Sequence, residues 1–168
     1  TDEEFAHDFL WRVHQHAPAK GMIQVFNRSH YEDILVPSVL GYIPNKVIEE
    51  RYKLINEFES LLEHNNTKVL KFFLNVSIEE QLERLQERVD NPEKHFKHKD
   101  GDWETRKHWD SYMKVYQSIF EKCNDIPWHI IPSDQNWYKT NLITKKIIEA
   151  FESMGLQWPE LETEKFKN

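Results

Sequence analysis

One cysteine, four glycines and no long apolar run set the limits of this 168-residue sequence. A lone Cys123 can form neither an internal disulfide nor a cysteine-based zinc site, and it fits a reducing cytoplasm. Glycine occurs only at Gly21, Gly41, Gly101 and Gly155, a spacing that cannot supply the G-x-x-x-x-G-K-[ST] phosphate loop. No stretch approaches the roughly 20 apolar residues of a membrane-spanning helix, and no signal peptide opens the chain, so no membrane partner is expected. Positive charge is also in deficit: 22 Lys and Arg against 29 Asp and Glu give −7, which argues against a broad nucleic-acid-binding face. Internal repeats and low-complexity tracts are missing as well.

What is present is enough for a packed domain. Hydrophobic residues make up 39% and aromatics 13%, a composition that a disordered chain does not have. One domain over 1–160 is expected, followed by a polar tail at 161–168. Thr1-Asp2-Glu3-Glu4 has the spacing of a capping box, and Phe5, Phe9, Leu10 and Val13 predict one helix over 2–16. Met22 to Phe26 reads as a short buried parallel strand, and Lys68 to Val76 and Trp128 to Ile131 read as two more. Between them lie a long helix opened by Pro44, a helix capped by Ser77, a helix over 104–122 and a last one over 136–154. Residues 90–104 read as an ordered but mobile loop. Strands alternating with helices predict an α/β parallel sheet covered on both faces, with its chemistry at the carboxyl ends of the strands.

The segments at those ends are 27–33, 77–104 and 132–137, and three constellations along the chain carry candidate chemistry. Asn27 to Asp33 packs an amide, a guanidinium, a hydroxyl, an imidazole and two carboxylates directly behind a strand. Such a set suits a hydrated Mg²⁺, with Arg28 offering a planar fork for phosphate oxygens; a polar loop capping the next helix is the plainer alternative. From 84 to 114, eight Lys and Arg face seven Asp and Glu, so this stretch is +1 while the rest carries −8. Arg84 and Arg88 share a helix face and could clamp a polyanion, with Lys94 and Lys97 beyond them; ion pairs such as Glu80 to Arg84 on a solvated helix would explain the same pattern. Asp8 and Arg12 could reach a nucleotide phosphate or simply pair with each other. His7, His14 and His16 read as surface residues, and the Trp and Tyr at 109, 112, 116, 137 and 138 as core or interface.

Taken in order, HDFLWRVH (7–14), FNRSHYEDILV (26–36), KFFLNVSIEEQLERLQER and DNPEKHFK (within 71–97), GDWETRKHWDSYMKVY (101–116) and PWHIIPSDQNWY (127–138) resemble the polyphosphate kinase 2 family. The resemblance runs from residue 1 to about 160. It implies a three-layer P-loop-kinase-like fold, and a phosphotransferase moving a phosphoryl group between inorganic polyphosphate and adenine or guanine nucleotides with Mg²⁺. The FNRSHYED form is similar to the branch that uses both nucleoside mono- and diphosphates.

Carried over residue by residue, Asn27, Arg28 and Glu32 would be catalytic, Glu32 as a carboxylate that faces the metal or orients the acceptor, with Asp33 the second-ranked metal candidate beside it. Arg84, Arg88, Lys94 and Lys97 would form a basic helical lid, at about 84–106, over polyphosphate. Asp8 and Arg12 would lie near the acceptor nucleotide. The resemblance also places the family's first strand and phosphate loop before Thr1, so the 168 residues alone are expected to be inactive. A cytoplasmic homo-oligomer is implied. A noncatalytic polyanion-binding or assembly module on a kinase scaffold is the alternative that the lid cations would also fit.

Overall fold

The computed structural model describes residues 1–158, and the expected tail at 161–168 lies outside them. Its sheet has two parallel strands, β1 (Lys71–Asn75) and β2 (Trp128–Pro132), paired from Lys71 with Trp128 to Asn75 with Pro132. Helices α5 (Ile78–Asp90), α6 (Asp100–Arg106) and α7 (Trp109–Lys122) make the crossover between the strands. Period-two alternation gives the sheet two working faces. Phe73 points to α7, its ring 4.6 Å from Tyr116 and 5.1 Å from Phe120. Phe72 and His129 form the other face, where α8 (Asn136–Ser153) packs and where burial and the Lys146 charge lower the His129 pKa.

The core lies on the α7 side. Two helices complete it, α3 (Glu32–Leu40) and α4 (Asn45–His64). Along α4, Ile48, Tyr52, Ile55 and Glu59 recur at helical spacing and are all buried. The three apolar ones meet Tyr31, Ile34, Leu35, Ile119 and Cys123 in one cluster, sealed by Tyr112, Tyr116, Phe120 and Trp128. Ser77 caps α5 as its sequence spacing predicts, accepting the Glu80 N–H at 3.2 Å.

Four expectations need correction. Met22 to Phe26 is not a strand: Met22, Ile23 and Val25 are 67, 71 and 80% exposed, and no described strand lies beside them to take their backbone hydrogen bonds. The helix expected over 2–16 is two single turns, α1 (Asp2–Phe5) and α2 (Trp11–His14). Asp8 restarts the chain by accepting the Leu10 N–H at 2.9 Å, the local bond that makes Asp a helix interrupter. The loop over 90–104 is instead a 3₁₀ helix, Pro92–Lys97, capped by Asn91, followed by α6. Lastly, the helix expected over 104–122 is two, α6 and α7, broken at Lys107 and His108, and from α7 Tyr112 and Tyr116 enter the core packing.

Candidate active site

The turn 27–33 leads into the first turn of α3, and three devices fix it there. Arg28 takes the left-handed conformation at φ +71°, uncommon for a residue with a side chain, and reverses the chain. Pro37 sits inside α3 and cannot donate to the Asp33 carbonyl one turn back. Arg51 of α4 donates to that freed carbonyl instead, while its guanidinium lies 4.7 Å from the centre of the Phe9 ring. Tyr31, finally, is buried and hydrogen-bonded behind the turn.

This arrangement gathers two arginines and two carboxylates. Arg28 reaches Glu32 at 3.2 Å, and Arg12 reaches Asp33 at 2.8 Å. Both carboxylates lie in the first turn of α3, where the helix dipole favours negative charge. Glu32 also faces α7: burial raises the Tyr112 and Tyr116 pKa values, and the Glu32 charge raises them further, so both phenols stay protonated donors. Asp8 and Arg12 are not paired with each other. Arg12 joins the cluster through Asp33, whereas Asp8 lines a groove of about 590 Å³ between α2 and α4, beside Trp11, His14, Leu54 and Phe58. Asn27 is exposed at the start of the turn.

The four residues expected in a lid have partners of their own. Arg84 donates through Nε to Glu80 at 2.7 Å and through Nη2 to the carbonyls of Ser133 and Asp134, both at 2.9 Å. It therefore ties α5 to the loop after β2, at the carboxyl ends of the strands, where Asn75, Ser77, Ser133, Asp134 and Tyr138 line a cleft of about 330 Å³. Arg88 pairs with Asp102 at 2.8 Å, Lys94 with Glu87, and Lys97 lies over the Phe96 ring. Among the described residues no hydrogen bond or ion pair joins these four to the α3 cluster. Nor does any group of three His, Cys, Asp or Glu among them gather as a metal cage.

Sequence reasoning missed Arg51, Glu59 and Lys71, which build the floor of the turn. Their signals were available: a proline one turn after Asp33, a carboxylate on the apolar stripe of α4, and a lysine at an inward position of a strand.

Known proteins match this geometry over nearly its whole length. The family model described as polyphosphate kinase 2 covers residues 1–158. An AMP/ADP-polyphosphate phosphotransferase of Meiothermus ruber is 46% identical over 97% of this chain and 62% of its own length. An ADP-polyphosphate phosphotransferase of Rhodopseudomonas palustris is 36% identical over 94% of this chain and 59% of its own. The crystal structure of a polyphosphate kinase 2 from Arthrobacter aurescens superposes with a TM-score of 0.95 at 42% identity, covering 98% of this chain and 59% of that one. The chain thus spans about three-fifths of the length of these relatives, and by this match it belongs to the polyphosphate kinase 2 family.

Proposed function

We propose that this chain serves a polyphosphate:nucleotide phosphotransferase of P-loop-kinase-like fold, which interconverts AMP or ADP with ADP or ATP. The observation that carries the reading is the paired Arg28–Glu32 and Arg12–Asp33 cluster at the head of α3, in a chain whose relatives bear the names of AMP- and ADP-using enzymes. In the forward step an oxygen of the nucleotide's terminal phosphate attacks the terminal phosphorus of polyphosphate. The new P–O bond forms as the old one breaks, and polyphosphate leaves one unit shorter. The attacking oxygen is already anionic, so no general base is required. The protein's task is positioning and charge neutralisation.

Glu32 fits a hydrated Mg²⁺, because its carboxylate is partly exposed and engaged only by Arg28 among the described residues. Asp33 fits less well, since it is more buried and its arginine holds it closer, at 2.8 Å against 3.2 Å. An ion held by one or two carboxylates takes its remaining oxygens from water and phosphate, and when bound it supplies charge neutralisation on the transferring group. Arg28 and Arg12 would exchange carboxylate for phosphate oxygens, which suits their planar forks. Asn27 stands beside them, and Asp8, turned toward the α2–α4 groove, would act from the acceptor's far side. Lys94, Lys97, Arg88 and the free edge of Arg84 would hold the polyanion. Guanine nucleotides, a cytoplasmic location and a homo-oligomer belong to the same reading.

The test is phosphoryl transfer by the complete protein with polyphosphate, Mg²⁺ and AMP or ADP, beside its Glu32→Gln variant. ATP formation that falls about 10–100-fold in the variant, with an unchanged melting temperature, is expected. Polyphosphate binding without turnover would favour the noncatalytic module instead.

A further inference from the structure

Behind the α3 cluster lies an ion pair for which phosphoryl transfer, as read above, has no task. Glu59 of α4 and Lys71 of β1 meet at 2.8 Å, with side chains only 2% and 4% exposed. All three Lys71 N–H groups are used: on Glu59 Oε2 at 2.8 Å, the Tyr31 hydroxyl at 2.9 Å and the Cys123 carbonyl at 2.9 Å. The other Glu59 oxygen accepts from the Tyr31 hydroxyl at 2.6 Å and lies 3.2 Å from His30 Nε2. Trp128 of β2 donates to the same Cys123 carbonyl at 3.0 Å. The network joins both strands, α4 and the end of α7 to two consecutive residues of the site turn.

Stability does not account for such a pair. Desolvation offsets its attraction, and apolar residues of equal volume often do as well or better. What charges and hydrogen bonds add is direction. His30 and Tyr31 lie between Arg28 and Glu32 in the chain, so fixing them fixes the distance and angle at which those two side chains leave the backbone. Arg28 needs such support, because a left-handed residue persists only where its surroundings hold it.

We infer that Glu59 and Lys71 are positioning residues which, through His30 and Tyr31, set the Arg28–Glu32 turn for phosphoryl transfer, an inference that rests on the function proposed above. The test replaces the pair with apolar groups of similar size, Glu59→Leu with Lys71→Met, in the complete protein. Amide hydrogen exchange then reads the turn, since the Glu32, Asp33 and Ile34 N–H groups donate to Ser29, His30 and Tyr31 carbonyls. Their protection should fall at least about tenfold while the protection of α7 and β2 is kept. The turnover number should fall about 10–100-fold, with KM for polyphosphate changed less than about threefold.

Should the double variant fail to fold, Tyr31→Phe removes one hydroxyl from the network and should show the same changes at smaller size. Unchanged exchange in the turn overturns the inference, and so does a loosened turn with full turnover. A wild-type protein inert toward polyphosphate would instead overturn the proposed function, leaving exchange alone to decide whether the pair holds the turn.

Discussion

Arg28 carries a backbone cost that its proposed role in phosphoryl transfer would explain. Its φ of +71° costs an L residue about 1–2 kcal/mol, and its guanidinium is mostly exposed, so the ion pair with Glu32 returns little. Glycine adopts that conformation freely, although it loses more entropy on folding. Arg28→Gly should therefore be no less stable than wild type, by up to about 1 kcal/mol in its favour, and yet lose phosphoryl transfer. Thermal melts set beside initial rates check this. A variant that loses both would mean that Arg28 holds the turn together rather than serving phosphate.

At the scale of elements, the two arginines of α5 part company. Both stand on one helix face, but Arg84 braces α5 against the loop after β2, whereas Arg88 meets only Asp102 of α6 among the described residues. Arg84→Ala should lower the melting temperature and weaken use of long polyphosphate. Arg88→Ala should weaken polyphosphate use alone, since a half-exposed pair contributes little to stability. Each lost charge-assisted phosphate contact should cost about 1.5–3 kcal/mol before screening by salt. Melting curves with KM values for long-chain polyphosphate separate the two. Equal effects of both variants on stability would count against the brace.

For the whole molecule, Glu59 links pH to folding. Burial pushes its carboxyl up, but hydrogen bonds from His30, Lys71 and Tyr31 and the Lys71 charge outweigh that and hold the pKa below the ordinary 4.5. A carboxyl with a lowered folded pKa favours folding above its unfolded value, and that contribution is lost as pH falls through the folded one. Melting temperature should therefore hold steady near neutrality and drop in acid below about pH 4.5. The part of the drop that belongs to Glu59 should be missing from the Glu59→Leu, Lys71→Met variant, which keeps His30 but has no carboxylate beside it. Parallel acid descents in the two proteins would place the acid-labile group elsewhere. Cys123, its thiol pushed up to about 12 by burial, contributes no charge over that range.

Several things were legible in the sequence by itself because they depend on near neighbours along the chain. The Ser77 cap, the stripe of α4 and the two paired strands follow from local spacing, and the ordered motifs pointed to the family that the comparisons show. Local spacing also put Arg28, Glu32 and Asp33 into one turn. Tertiary structure decided the rest. Whether Met22 to Phe26 becomes a strand depends on a neighbour to bond with, and apolar character cannot provide one. Arg12 meets Asp33 rather than Asp8 because Asp8 breaks the helix that would have stacked them. Glu59 and Lys71 stand 12 residues apart, Lys71 and Tyr31 40 apart, and only packing α4 and β1 behind α3 brings all three within one hydrogen-bond radius. Periodicity marks each of these charges as facing inward, but only the packing makes them partners, because a buried charge persists where an opposite charge and hydrogen bonds meet it.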